Sequence, residues 1–258
     1  MSGDGWAPRI VFVTGATAGF GLAIARRFAA DGARIVAAGR RRERLGTLAA
    51  ELGERVHTIE LDVRDRDAVL AAVANLPPRF ADVDVLVNNA GLAAGLEPAP
   101  QVQLDDWDVM VDTNIKGLMY VTRAVLPGMV ARDRGHVVNL GSTAGHFPYP
   151  GGNVYGATKA FVYQFTLNLR ADLLGTNVRV TAVEPGLCGG TELSKIRFKG
   201  DDDKANAVYA GTMPLSAQDV ADAVHWVTTR PAHVNVNAIQ MMPVCQAFGP
   251  LAVKRSDS

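Results

Sequence analysis

The sequence predicts an α/β fold in which a doubly wound, mainly parallel sheet carries helices on both faces. Short β-branched runs alternate with apolar-periodic helical segments from Arg9 to Met241, and no internal repeat, low-complexity tract or shift of composition interrupts them. Parallel strands need long crossovers, and such crossovers are right-handed, so the alternation reads as successive βαβ units. A chain of 258 residues suits one large α/β domain as well as two small ones. With no linker visible, a single domain over residues 1–258 is expected.

The first run, Arg9-Ile-Val-Phe-Val-Thr14, gives way to Gly15, Ala16, Thr17, Ala18, Gly19, Phe20 and Gly21, and then to an alanine-rich helical segment ending near Ala30. Gly32 precedes the second run, Arg34 to Gly39. A strand, a glycine turn, a helix and a strand fit within about 30 residues, as one βαβ unit does. The turn alone would pass for an ordinary tight turn. At a helix N-terminus, though, unpaired N–H groups and the positive end of the dipole suit a pyrophosphate, which favours a dinucleotide site. Later strands are expected at Arg55 to Leu61, Val83 to Val87, Gly135 to Leu140, Val178 to Val183 and Val236 to Met241. Helices are expected at Glu43 to Leu52, Arg66 to Asn75, Leu104 to Val130, Gly152 to Leu174 and Ala217 to Thr229.

Composition narrows the class. Lys plus Arg and Asp plus Glu balance at 26 each, so nothing draws the chain generally to nucleic acid or to acidic membranes. No apolar run approaches the roughly 18 residues of a membrane span, and the leader Met1 to Pro8 lacks the basic start and apolar core of a signal peptide. A soluble cytoplasmic protein is the expectation. Cys188 and Cys245 have no Cys-x-x-Cys spacing and no histidine cluster, so neither a disulfide scaffold nor a metal site is expected. Cys188 reads as a small space-filling residue.

Several residues fall at the carboxyl edge of such a sheet, where ligands bind in open α/β folds. Arg40 and Arg41 follow the second strand, where an acidic residue would select a free ribose 2′-hydroxyl and arginine accommodates a 2′-phosphate. Cations at a helix start oppose its dipole, so an anion nearby is expected, which favours NADP(H) over NAD(H). Asp62 and Val63 close the third strand, with Asp62 either accepting from an adenine amino group or capping the next helix. Asn89, Ala90 and Gly91 follow the fourth, where small residues allow close backbone approach, although an ordinary loop has the same composition. Tyr155 and Lys159 stand four apart on a predicted helix, so they share a face. A free phenol titrates near ~10, and a cation some ~4 Å away supplies about the 2–3 units needed for acid/base work at neutral pH. The same spacing suits a solvated surface pair. Ser142 ends the fifth strand and offers a hydroxyl to a substrate oxygen. Asn114 sits inside a helical segment, where asparagine competes with the backbone, and would hold a water behind Tyr155 and Lys159 or act as a satisfied buried amide. Pro185 and Gly186 break the chain after the sixth strand, and Leu187, Gly190 and Thr191 would offer backbone groups and a hydroxyl to a nicotinamide carboxamide.

Taken together, Thr14-Gly-x-x-x-Gly19-x-Gly21, Asn88-Asn-Ala-Gly91, Asn114, Ser142, Tyr155-x-x-x-Lys159 and Pro185-Gly186 to Thr191 resemble the short-chain dehydrogenase/reductase family in order and spacing, from about Arg9 to Met242. The resemblance implies a Rossmann-type sheet, a nicotinamide cofactor and a catalytic tetrad of Asn114, Ser142, Tyr155 and Lys159. Gly39-Arg-Arg41, Glu184-Pro-Gly-Leu187, Gly189-Gly-Thr-Glu192, Arg197-Phe-Lys-Gly-Asp-Asp202 and Pro231-Ala-His-Val-Asn235 further resemble the NADP-dependent 3-hydroxy acid dehydrogenases. That group implies a homotetramer acting on serine, L-allo-threonine, or 3-hydroxypropionate and malonic semialdehyde. A substrate lid is expected at about 187–214, with Arg197 and Lys199 either meeting the substrate carboxylate or simply exposed, and His146 and Tyr149 on the same terms either in the pocket wall beside Ser142 and Tyr155 or exposed. A reductase of 3-ketoacyl thioesters or sugars, or an NADP-binding protein without turnover, would share much of this pattern. The longer leader and Cys188 are the departures.

Overall fold

The computed structural model describes residues 10–190, 192, 196–198 and 200–248. The leader and parts of the expected lid lie outside them. Strands are β1 (Ile10–Thr14), β2 (Arg34–Gly39), β3 (Val56–Glu60), β4 (Val85–Asn88), β5 (Gly135–Leu140), β6 (Val178–Pro185) and β7 (Ala238–Met241). They form one seven-stranded sheet in the order β3-β2-β1-β4-β5-β6-β7. Every pairing is parallel, so the sheet is wholly rather than mainly so.

Between the strands run α1 (Gly19–Ala30), α2 (Arg42–Leu52), α3 (Arg66–Ala74), the single turn α4 (Pro78–Ala81), α5 (Leu104–Val111), α6 (Leu118–Ala131), α7 (Asn153–Asp172), the short α8 (Asp202–Ala207) and α9 (Ala217–Thr228). The alternation of β1 shows how the layers are filled. Val11 and Val13 face a core with Ile24 and Phe28 of α1 and Val220 and Val224 of α9. Ile10 and Phe12 face the other, with Val69 of α3, Val121 and Val125 of α6 and Leu169 of α7. α9 begins with a full capping box, in which the Ser216 side chain accepts from the Asp219 backbone and the Asp219 carboxylate accepts from the Ser216 backbone.

One element departs from expectation. The helix read as continuous from Leu104 to Val130 is interrupted by a π-turn at Asp112–Gly117. The wider turn swings Asn114 inward, and Gly117 allows the close approach of Val63, whose Cγ2 would lie 2.6 Å from any Cβ added there.

Candidate active site

The order of the sheet reverses beside β1, which has β2 on one side and β4 on the other. The loops leaving β1 and β4 therefore part at the carboxyl edge and open a crevice. Thr14 joins them: its hydroxyl accepts from the Asn89 and Ala90 N–H groups, at 3.0 and 2.9 Å. Asn89 Nδ2 donates back to the carbonyls of Thr14 and Gly15, at 2.8 and 3.2 Å. Gly15 (φ +65°) and Gly19 (φ +51°) take left-handed backbone, strained for any side chain. A Cβ on Gly21 would stand 2.3 Å from the Gly15 carbonyl oxygen, so α1 can start close against the turn only with glycine there. Ala16 is fully buried beneath it. The resulting cleft, about 270 Å³, is lined by Thr17, Ala18 and Phe20 of the glycine turn, Val63, Ala90 and Gly91 among others.

At one end stand the arginines. Arg41 caps α2 in an extended conformation and rests Nε and Nη2 on Thr17 Oγ1, at 3.1 and 2.9 Å, while Arg40 lines the cleft. The anion expected near these cations is present as Glu192, 2.6 Å from Arg41 and 2.8 Å from Arg44. Asp62 also lines the cleft. It does not cap α3, a task taken by Asp65, but is gripped by Arg64 at 2.6 Å, and that contact holds its carboxyl below the usual range. It remains an anionic acceptor.

The other end gathers the residues suited to proton transfer. Tyr155 and Lys159 of α7 are both buried and both line the cleft. The Ser142 hydroxyl hydrogen-bonds the phenol, accepts from Ala144 N–H at 3.1 Å and donates to the Pro185 carbonyl at 3.4 Å. Lys159 Nζ donates to the Leu140 carbonyl at 2.8 Å and lies 5.9 Å from the Tyr155 ring centroid. Its burial pushes the ammonium down to about 8. The expectation that this lysine acidifies the phenol needs correction. Burial pushes the Tyr155 phenol above its ordinary value, and the charge that draws it partly back is the Arg197 guanidinium, followed by the Ser142 hydroxyl. Arg197 lies 5.0 Å from the Tyr155 ring centroid and donates to the Tyr149 hydroxyl at 2.9 Å. Its Nε is buried with no hydrogen-bond partner among the described residues.

The profile of the short chain dehydrogenase family matches residues 9–202. The chain belongs to that family. As a short-chain dehydrogenase it is 63% identical over 247 residues to the NADP-dependent 3-hydroxy acid dehydrogenase YdfG of Salmonella typhimurium, covering 96% of this chain and 100% of that one. It is 51% identical over 245 residues to the serine 3-dehydrogenase of Agrobacterium fabrum, covering 95% and 98%. A serine dehydrogenase solved in a closed form with NADP+ superposes with a TM-score of 0.95 at 59% identity, over 96% of this chain and 100% of that one. The serine dehydrogenase of Escherichia coli gives 0.83 at 54%, over 93% and 100%.

Not every residue singled out in this short-chain dehydrogenase reaches the cleft. Both polar atoms of the Asn114 side chain have partners: Nδ2 donates to the Leu92 carbonyl and to Thr158 Oγ1, and Oδ1 accepts from Leu92 N–H, which leaves Oδ1 its second lone pair. His146 does not line the cleft, since its Nε2 sits 2.7 Å from the buried Glu184 carboxylate and its ring packs edge-on against Tyr163. Tyr149 meets the site through Arg197. Beyond β6, Gly186 N–H donates to the Met241 carbonyl and Leu187 N–H to Gln246 Oε1, while the Leu187 carbonyl accepts from Leu215. These groups are engaged within the chain rather than turned to the cleft. Gly190 has left-handed backbone (φ +69°), Cys188 is buried with its thiol pushed up to about 12, and Thr191 and Lys199 lie outside the described residues. Sequence reasoning assigned nothing to Glu192, Glu184 or Thr17 Oγ1. For Glu192 the signal was the unpaired excess of arginine at 40–44.

Proposed function

We propose that the chain is an NADP(H)-dependent dehydrogenase of short 3-hydroxy acids, of the serine, L-allo-threonine, or 3-hydroxypropionate and malonic semialdehyde class. The observation that carries this reading is Arg197, a cation whose buried Nε has no partner among the described residues, beside the phenol that exchanges the proton. An uncharged alcohol has no use for it, whereas a carboxylate near the reacting carbon would take it. The identity to 3-hydroxy acid and serine dehydrogenases supports the same class.

The cleft suits the cofactor. Gly91 lies beside Asn114 and Lys159, and a Cβ there would stand 3.2 Å from Asn114 Oδ1, tighter than an ordinary contact. Two arginines at the far end already share a carboxylate, a stand-in for a ribose phosphate. Gly15 to Phe20 would hold the pyrophosphate, Arg40 and Arg41 with Arg44 beside them the 2′-phosphate, Asp62 and Val63 the adenine, and Asn89 to Gly91 with Lys159 the nicotinamide riboside. When bound, the cofactor supplies or accepts the hydride.

The remaining work belongs to side chains of the chain. Ser142 and Tyr155 bind the substrate oxygen, and Tyr155 gives its proton to a carbonyl in reduction or takes one from a hydroxyl in oxidation. With the phenol held protonated by burial, the resting site is set for reduction, and oxidation gains as pH rises. Lys159 supplies charge beside the phenol. Asn114, through the remaining lone pair of Oδ1, would hold the water that connects the proton path to solvent. The segment at 187–214 serves as a lid over one domain spanning 1–258, and the family resemblance supports a cytoplasmic homotetramer. Among the described residues no helix is long and apolar enough to cross a membrane.

A panel of L-serine, L-allo-threonine and 3-hydroxypropionate against a 3-ketoacyl thioester, each with NADP(H) and NAD(H), tests the class. Turnover is expected with the hydroxy acids and NADP+, and lost in Tyr155→Phe with NADP+ affinity kept within about threefold. Preference for the thioester, or turnover near wild type in Tyr155→Phe, would sink the assignment.

A further inference from the structure

Glu192 reaches the arginines from a distant part of the chain, beyond β6, and closes the adenosine end of the cleft. Oε2 lies 2.6 Å from Arg41 Nη1 and Oε1 lies 2.8 Å from Arg44 Nη1. Two oxygens divided between two guanidinium groups is the pattern a phosphate monoester makes with the same partners. Thr17 takes one N–H each from Nε and Nη2 of Arg41, so Nη1, the nitrogen that Glu192 occupies, is the one not turned to Thr17. Burial alone would raise the Glu192 carboxyl. The two arginines outweigh it and hold the group below its ordinary value, so it is anionic throughout the neutral range.

We infer that Glu192 is a built-in competitor of the cofactor's 2′-phosphate for Arg41 and Arg44, and so sets how strongly the protein discriminates NADP(H) from NAD(H). A phosphate on those nitrogens would bring its charge into contact with the carboxylate, so the ion pairs must open before it binds. An adenosine with a free 2′-hydroxyl has no such need and leaves them closed. Glu192 therefore weakens binding of the phosphorylated ribose selectively. The competition rests on the same reading of the cleft as an NADP(H) site, and each ion pair is partly exposed, so the effect is modest.

Calorimetric titration of the full-length protein with adenosine 2′,5′-bisphosphate and with 5′-AMP isolates the 2′-phosphate, their only difference. Glu192→Gln removes the charge and keeps the shape. It is expected to tighten the bisphosphate about three- to tenfold, as loss of two partly exposed ion pairs allows, and to leave 5′-AMP within about twofold. In an Arg41→Ala/Arg44→Ala background the same substitution should change neither. Equal responses of the two nucleotides, weaker bisphosphate binding by Glu192→Gln, or an undiminished effect without the arginines would overturn the competition and leave the cofactor site standing. If neither nucleotide binds the wild-type protein, the cofactor reading falls and the competition falls with it.

Discussion

Tyr155 and Arg197 form a coupled pair in which each side chain explains the state of the other. A buried phenol resists ionisation, and the guanidinium 5.0 Å from its ring is the strongest charge drawing its pKa back down. The guanidinium in turn keeps a buried Nε without a partner among the described residues, a loss of about 1–3 kcal/mol that a substrate carboxylate would recover. Arg197→Ala is therefore expected to do two separable things. KM for a 3-hydroxy acid should rise about tenfold or more, while KM for an uncharged secondary alcohol stays within about twofold. The second effect is on pH. Removing the cation raises the phenol further, so the limb of the oxidation rate that climbs as Tyr155 loses its proton should move to higher pH. Initial rates with both substrates across the alkaline range measure both. Equal KM effects on the two substrates, or an unmoved limb, would remove Arg197 from the site.

Among the elements, the contact between the turn after β5 and helix α7 decides how accurately Ser142 meets Tyr155. Gly145 sits so near α7 that a Cβ would stand 2.8 Å from both the Lys159 carbonyl carbon and the Ala160 nitrogen, and one on Gly156 would stand 2.9 Å from the Ala144 carbonyl oxygen. These obstacles are backbone, which cannot rotate aside. Gly145→Ala should cost about 1–3 kcal/mol of stability and lower kcat by about tenfold or more through displacement of Ser142. Chemical denaturation with single-turnover rates tests it, and wild-type kcat in the variant would show that the two elements have slack. The sequence made the strands and most helices legible because their periodicity is local, and Tyr155, Lys159 and Ser142 were legible because spacing on a helix and a strand end fixes their placement. The π-turn escaped, since it arises from contact of Gly117 with Val63 across the fold. So did the balance of charges on Tyr155, because Arg197 lies far from the tyrosine along the chain and only the fold brings it near. The partner of His146 escaped for a related reason: no pattern around Ser142 reveals that Glu184, on the neighbouring strand, accepts its hydrogen bond.

At the scale of the molecule, the cleft lies between the switch point of the sheet and the segment that follows β6, so a dinucleotide bound there touches both and stabilises the folded chain by mass action. At a ligand concentration of about 100 Kd that gain is about 2.7 kcal/mol, which for a chain of this size raises Tm by about 5–10 °C. At equal concentration NADP+ should raise Tm more than NAD+, because in the proposed site only the 2′-phosphate would reach Arg41 and Arg44, whose side chains are little more than half buried. That exposure supplies a second handle. Partly exposed cations are screened once the Debye length falls to ~3 Å near 1 M salt, whereas the contacts of the glycine turn with a pyrophosphate rest on aligned backbone N–H groups and geometry. The excess shift with NADP+ over NAD+ should thus shrink as salt rises, while the part common to both cofactors declines less. Thermal melts with each cofactor at low and high ionic strength read both components. An NADP+ shift no greater than that of NAD+ at low salt would take the arginine end out of cofactor recognition altogether, and an excess indifferent to salt would place its source in the buried part of the cleft instead.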